Sequence, residues 1–209
     1  MDSKAHWEEV YGAKPSSSMS WFQALPIRSL ELILDSGATL DSAIIDVGGG
    51  DSTLVDALLD RGFSRVTVLD ISRAALARAQ ERLGARAANV TWLEADMRNA
   101  ELPRHGYQLW HDRAAFHFLL SAGNRRRYVD TLRHALAPGG TLVIATFAAD
   151  GPTRCSALDV ARYSAETLRA ELGADFELVR AFEDSHRTPG DAEQQFTFAA
   201  FRRAPTTND

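Results

Sequence analysis

A doubly wound α/β fold is predicted, a mostly parallel seven-stranded sheet with helices on both faces and one antiparallel C-terminal strand. Three features of the chain lead to it. Strand and helix signals alternate from residue 43 onward, as they do where strand–helix–strand units build a parallel sheet. The strands are apolar without polar alternation, which fits a sheet covered on both sides. Three glycines, Gly48, Gly49 and Gly50, stand between the first strand and the next helix. Ligands of such sheets sit beyond the strands' carboxyl ends, at loops of this kind.

The elements follow in order. Trp7, Val10 and Tyr11 share one face of a short helix, and the cluster Pro15-Ser16-Ser17-Ser18 reads as a loop. Residues 21–34 place Leu25, Leu30, Ile33 and Leu34 at helical spacing, with Gly37 as the stop. Residues 43–47 form the first strand, and residues 52–61 a helix closed by Gly62. The second strand spans 66–70. A helix over 72–83 begins on Ser72 and ends at Gly84. Strands at 90–93 and 107–110 come next, then a helix over 126–136 closed by Pro138-Gly139-Gly140. A strongly apolar strand covers 141–147, and a helix over 164–172 stops at Gly173. Two last strands, 176–182 and 195–201, lack a helix-length gap between them, so they pair antiparallel.

The 209 residues carry 23 basic and 28 acidic side chains, for a net charge of -5, and 45% are hydrophobic. That is material for one domain, 1–209. Residues 1–40 form N-terminal cap helices over the active site, 41–203 the cofactor-binding core, and 204–209 a frayed tail. No apolar run reaches the ~18–20 residues that span a bilayer, so no membrane partner is expected. The N-terminus shows no secretory signal, and the single cysteine, Cys155, excludes a disulfide framework. A cytoplasmic protein is expected. The acidic balance argues against nucleic acid as partner.

The chemistry concentrates in Asp46-Val47-Gly48-Gly49-Gly50-Asp51-Ser52. Glycines there let the backbone turn tightly and approach a ligand. Asp70 ends the second strand, where a carboxylate accepts hydrogen bonds from ribose hydroxyls, so a nucleoside-bearing cofactor is expected. Asp46 and Asp51 flank the glycines and would repel a pyrophosphate; they suit a cofactor with a cationic ammonium and sulfonium. Thr53 stands where the dinucleotide fingerprint wants Gly or Ala, and no Tyr-x-x-x-Lys pair is present.

Over residues 40–201 the chain resembles the class I S-adenosylmethionine-dependent methyltransferases. The resemblance rests on Asp46-Val47-Gly48-Gly49-Gly50, Asp70-Ile71, Glu94-Ala95-Asp96-Met97 and Leu136-Ala137-Pro138-Gly139-Gly140, in this order. It implies a Rossmann-like fold and S-adenosyl-L-methionine as cofactor. It also implies roles for the matching residues. Gly48, Gly49 and Gly50 would pass under the methionine moiety, with Asp46 near its ammonium. Asp70 would bind the ribose and Ile71 would pack on the adenine. Asp96 would accept from the adenine amino group and Met97 would cover the ring. Asp112 or Arg113 would lie near the transferred methyl.

Methyl transfer from a sulfonium is an in-line displacement that needs alignment and dryness and no metal. His117, and after it His111, are candidates for a general base, set against the more ordinary reading of a structural histidine. His105, His111 and His117 are spaced by six and do not share a helical face, so no metal is expected. Tyr11, Trp21 and Phe22, with Trp7, form either an apolar lid over the sulfonium or a seal on the sheet. Cys155 either touches substrate or is a small buried hydrophobe. No Asn/Asp-Pro-Pro-Tyr/Phe stretch follows the fourth strand, which disfavours an exocyclic base amine or glutamine amide as target. The front segment loosely resembles a subgroup that includes protein-lysine enzymes. A small-molecule acceptor is therefore expected, on a monomer or homodimer. A protein-lysine methyltransferase and an NAD(P)-dependent oxidoreductase are the alternatives.

Overall fold

The computed structural model describes residues 3–205. In chain order it contains α1 (Ser3–Ala13), α2 (Ile27–Asp35), β1 (Ile44–Val47), α3 (Leu54–Asp60), β2 (Val66–Asp70), α4 (Arg73–Leu83), β3 (Val90–Glu94), β4 (Tyr107–Arg113), α5 (Ala122–Ala135), β5 (Leu136–Phe147), β6 (Arg154–Cys155), β7 (Leu158–Asp159), α6 (Ala165–Leu172), β8 (Phe176–Arg187) and β9 (Glu193–Arg203). Seven strands make one sheet in the order β3-β2-β1-β4-β5-β9-β8, and β6 with β7 forms a separate two-stranded ribbon. The pairs among β1–β5 are parallel. β9 runs antiparallel to both β5 and β8, so the one reversed strand lies one place in from the edge.

Successive side chains of a strand point to opposite faces, and here both faces are apolar. Ile44, Val66, Leu109 and Val143 pack with Leu30, Ile33, Leu54 and Leu58 of α2 and α3. Ile45, Trp110, Leu142 and Ile144 pack with Leu132 and Leu168 of α5 and α6. Each fully buried Leu or Ile contributes about 1.5–3 kcal/mol, so the unbroken apolar strands read from the sequence have a partner on each side. Serine caps start three helices: Ser72 Oγ accepts from Ala75 N, Ser121 Oγ from Asn124 N, and Ser164 forms a capping box with Thr167.

The structure differs from the expected elements in several places, among them β5, which starts at Leu136 rather than residue 141, and the β6–β7 ribbon. The second helix starts at Ile27, not residue 21, because Pro26 disfavours helical backbone at the residue before it. Leu25, ahead of the helix, and Leu34, on its outer side, are exposed. The helix before β5 begins at Ala122 on the Ser121 cap, so Arg125, Arg126 and Arg127 lie inside it instead of starting it. β4 continues through His111, Asp112 and Arg113, which pair with Val143, Ile144 and Ala145 of β5. β8 and β9 run on to Arg187 and Arg203 as a long hairpin. Of the expected frayed tail, residues 206–209 lie outside the described residues.

Candidate active site

The site forms where β1, β2 and β4 end. Gly48 and Gly49 both donate to Leu69 O, which folds the loop back onto β2. Gly48 has φ +67° and a side chain there would run into Cβ of Ala115. Gly50 has φ +49°, and a Cβ would stand 2.6 Å from the Tyr11 hydroxyl and 3.2 Å from Asp70 Oδ2. The glycines are thus required by both conformation and space.

Asp70 is buried at the end of β2, and its Oδ1 accepts from Ser72 N at 2.8 Å. Burial pushes its pKa up to about 7; Asp46 and Asp51 add to that, against hydrogen bonds from the Ser72 and Gly50 amides. Asp70 and Ile71 line one cavity with Leu69, Ala95, Met97 and Leu119. Asp96 lines it too, but its carboxylate is clamped by Arg98, which donates from the backbone at 2.9 Å and through the guanidinium. Burial would raise Asp96, yet these donors hold it below the usual carboxylate range.

Strand alternation sends the three residues at the end of β4 to different places. His111 lies beside Asp46 in the register of β1 and β4. Its Nδ1 is 2.7 Å from Asp46 Oδ1, and its Nε2 is 2.9 Å from Oγ of Ser29 on α2. The three form a buried chain, Ser29–His111–Asp46, beside a smaller second cavity that Phe22 and Gly49 also line. His111 is therefore occupied by a carboxylate and a hydroxyl and does not line the main cavity. Asp112 turns to the opposite face. Its Oδ1 accepts from the Ala115 and Phe116 amides and its Oδ2 from the Tyr128 hydroxyl at 2.8 Å. Both of its oxygens are spent inside the fold, which removes Asp112 from the expected cofactor contacts. Burial raises it to about 6. Arg113 returns to the cavity side and lines both cavities.

His117 also falls out of the site. It is fully buried and lines neither cavity. Its Nδ1 accepts from Phe147 N at 3.4 Å, and its ring packs on Phe118 and Phe147. Burial, with the nearby Arg113, pushes its pKa down to about 3. A general base needs contact with the reacting proton and a pKa near the working pH; His117 has neither.

The aromatic front closes the main cavity. Trp7, Tyr11 and Trp21 line it, with Trp7 edge-on to Phe118 at 5.0 Å between centroids and Tyr11 edge-on to Trp21 at 6.0 Å. Cys155, carried by the β6–β7 ribbon, lines the same cavity, and burial raises its thiol pKa, so it stays protonated. Sequence reading did not single out Ser29, Arg98, Leu119 or Asn124. Arg98, Leu119 and Asn124 line the cavity, and nothing local marks the last two, because each arrives from a distant element.

The arrangement suits a nucleoside with a charged tail: apolar walls for a base, a buried carboxylate for a diol, and glycines for close approach. Comparison with known proteins agrees. The family model for the methyltransferase domain matches residues 44–140. An uncharacterised methyltransferase of Mycobacterium tuberculosis strain H37Rv is 36% identical over 118 residues, 56% of this chain and 57% of the relative. The chain thus spans little more than half the length of the curated relatives it matches. A SAM-dependent methyltransferase from Anabaena variabilis superposes with a TM-score of 0.76 at 16% identity, covering 97% of this chain and 96% of that one. The N-methyltransferase NodS from Bradyrhizobium japonicum, solved with S-adenosyl-L-homocysteine, gives 0.72 at 20% identity, covering 97% and 99%. These structures share the fold.

Proposed function

We propose, from the match of residues 44–140 to the methyltransferase-domain model, that the protein transfers a methyl group from S-adenosylmethionine to a small-molecule acceptor. The observation that carries the reading is the buried Asp70 carboxylate beside the Gly48–Gly50 turn, in one cavity with Ile71 and Met97. Bound S-adenosylmethionine supplies an electrophilic methyl on a sulfonium. Asp70 would accept from the ribose, and Ile71 and Met97 would pack on the adenine. Gly48 and Gly49 would leave room for the amino-acid tail, and Asp46, whose Oδ1 is held by His111, would keep Oδ2 for its ammonium. Trp7, Tyr11 and Trp21 keep water from the reacting atoms.

Trp7, Trp21, Phe118, Arg113 and Cys155 line the same cavity as the carboxylates Asp70 and Asp96; with the carboxylates holding the adenosine, the former set would face the acceptor. A lysine ammonium would meet a buried guanidinium there rather than an acidic rim, so this wall speaks for a small molecule over a protein lysine. Against a nicotinamide enzyme stands the antiparallel β9, set between β5 and β8 where dinucleotide sheets continue in the 3-2-1-4-5-6 order. The N-methyltransferase NodS and the other structural likenesses support the reading at the level of fold.

Release of S-adenosylhomocysteine, measured over a panel of thiols, phenols, carboxylates, amines and peptides, tests the proposal. Turnover of at least one small acceptor is expected. Turnover of peptides alone would overturn the small-molecule assignment.

A further inference from the structure

Arg113 is a half-buried residue with half of its guanidinium unused. Nη1 donates to Trp21 O at 3.0 Å, and the guanidinium carbon stands 4.9 Å from the Phe196 ring centroid. Nε and Nη2 are shielded from solvent and have no hydrogen-bond partner among the described residues. None of the described carboxylates lies within ion-pair distance of it. Asp112, its neighbour in sequence, is on the other face, and Asp46 gives Oδ1 to His111. The groups around it, Cys155, His117 and His186, are neutral at pH 7, their pKa values displaced by burial.

A buried charge without a partner is costly, by several kcal/mol. Burial lowers the Arg113 pKa only to about 10, so neutralisation is not how the cost is met at pH 7. Nε–H and the outer Nη2–H of a guanidinium share one edge, the fork that grips a carboxylate through two parallel hydrogen bonds. That edge is the free one here. Of its neighbours, Trp21 and Cys155 line the main cavity with it, while Phe196 packs on the guanidinium from outside the cavity.

We propose that the methyl acceptor is a small organic anion, a carboxylate or a similar oxyanion, and that the Nε–Nη2 edge of Arg113 binds it. This deepens the methyl-transfer reading and rests on it. The anion completes the buried ion pair, Trp21 O fixes the guanidinium plane, and the Phe196 face supports it from behind. The same contact selects against cationic acceptors, which would be repelled in a desolvated site.

The experiment uses the full chain loaded with S-adenosylhomocysteine, titrated calorimetrically with benzoate and salicylate and with their neutral counterparts benzamide and phenol. Wild type, Arg113→Lys and Arg113→Met are compared. The wild type is expected to bind the two anions at least about tenfold more tightly than the neutral pair. Arg113→Met is expected to lose that preference, and Arg113→Lys to keep part of it, with cofactor-product affinity unchanged in both. Absence of an anion preference in the wild type, including no binding of any probe, overturns the proposal. So does an Arg113→Met protein that loses S-adenosylhomocysteine affinity while keeping 5′-methylthioadenosine, since that assigns the fork to the cofactor's own carboxylate. If Arg113→Met does not fold, the wild-type preference and Arg113→Lys decide. Failure of the wild type to bind S-adenosylhomocysteine at all would instead overturn the methyl-transfer reading itself.

Discussion

Asp70 is a carboxylate the fold keeps out of water before anything binds to it. Its folded pKa of about 7 lies above the ~3.9 of an unfolded aspartate, so the folded chain retains a proton that the unfolded chain loses. Ionisation therefore costs stability, and the cost grows as pH rises from about 4 through about 7. Asp70→Asn removes that cost: its thermal midpoint should gain on the wild type between pH 5 and pH 8 in scanning calorimetry, and a parallel pH response would contradict the shift. Ribose hydroxyls favour the ionised form. S-adenosylhomocysteine should accordingly raise the wild-type midpoint more at pH 8 than at pH 6, and its binding should release a proton, detectable from calorimetry in buffers of differing ionisation enthalpy. A second residue-scale expectation concerns His111. Replacing it by Leu leaves Asp46 and Ser29 unpaired in the interior, at a cost of about 1–3 kcal/mol. Affinity for S-adenosylhomocysteine should fall in the His111→Leu protein, whereas 5′-methylthioadenosine, which lacks the amino-acid tail, should bind as before; equal losses would remove Asp46 from the ammonium. Asp46 and the glycines were legible in the sequence because one local strand–loop–helix segment carries their meaning, and Asp70 because it ends the next strand. The idle fork of Arg113 and the misread His117 were not, because their neighbours come from Trp21, Phe147 and Phe196, far along the chain.

At the scale of elements, α1 is the piece that closes the site. Glu8 reaches across to cap α4, with Oε1 accepting from Arg73 N at 2.7 Å and Oε2 from Ala74 N at 3.1 Å. A carboxylate at a helix N-terminus satisfies free amides and complements the helix dipole. Arg78 donates to Lys14 O, and Ser16 hydrogen-bonds Asp51. Few hydrophobic contacts beyond Trp7, Val10, Tyr11 and Met19 add to these ties. Glu8→Ala should weaken the docking by about 1 kcal/mol. Faster amide exchange across Ser3–Ala13 is expected, with weaker S-adenosylhomocysteine binding and a thermal midpoint little changed. Unaltered exchange would show that the aromatic contacts alone hold the helix. The existence of α1 was readable from the spacing of Trp7, Val10 and Tyr11. The reach of β4, β8 and β9 was not, since polar residues such as His111, Asp112 and Glu183 are extended only because a neighbouring strand supplies their hydrogen bonds.

At the scale of the molecule, the mostly parallel seven-stranded sheet and its reversed C-terminal strand follow from an alternation the sequence states plainly, whereas the strand order comes from the structure. The division of labour follows from it too: β1–β4 end in the glycine loop, Asp70 and Arg113, while α1 and the β6–β7 ribbon complete the cavity from outside the sheet. What the sequence left open, the character of the acceptor wall, depends on which side chains meet there. The central claim is that the Asp70 cavity holds S-adenosylmethionine. Calorimetric titration of the wild type and Asp70→Ala with S-adenosylhomocysteine and with NADH tests it most directly. One S-adenosylhomocysteine per chain and no NADH are expected for the wild type, with affinity for the former reduced by about 1–3 kcal/mol in Asp70→Ala. Binding of NADH alone, or an Asp70→Ala protein with wild-type affinity, would contradict the account.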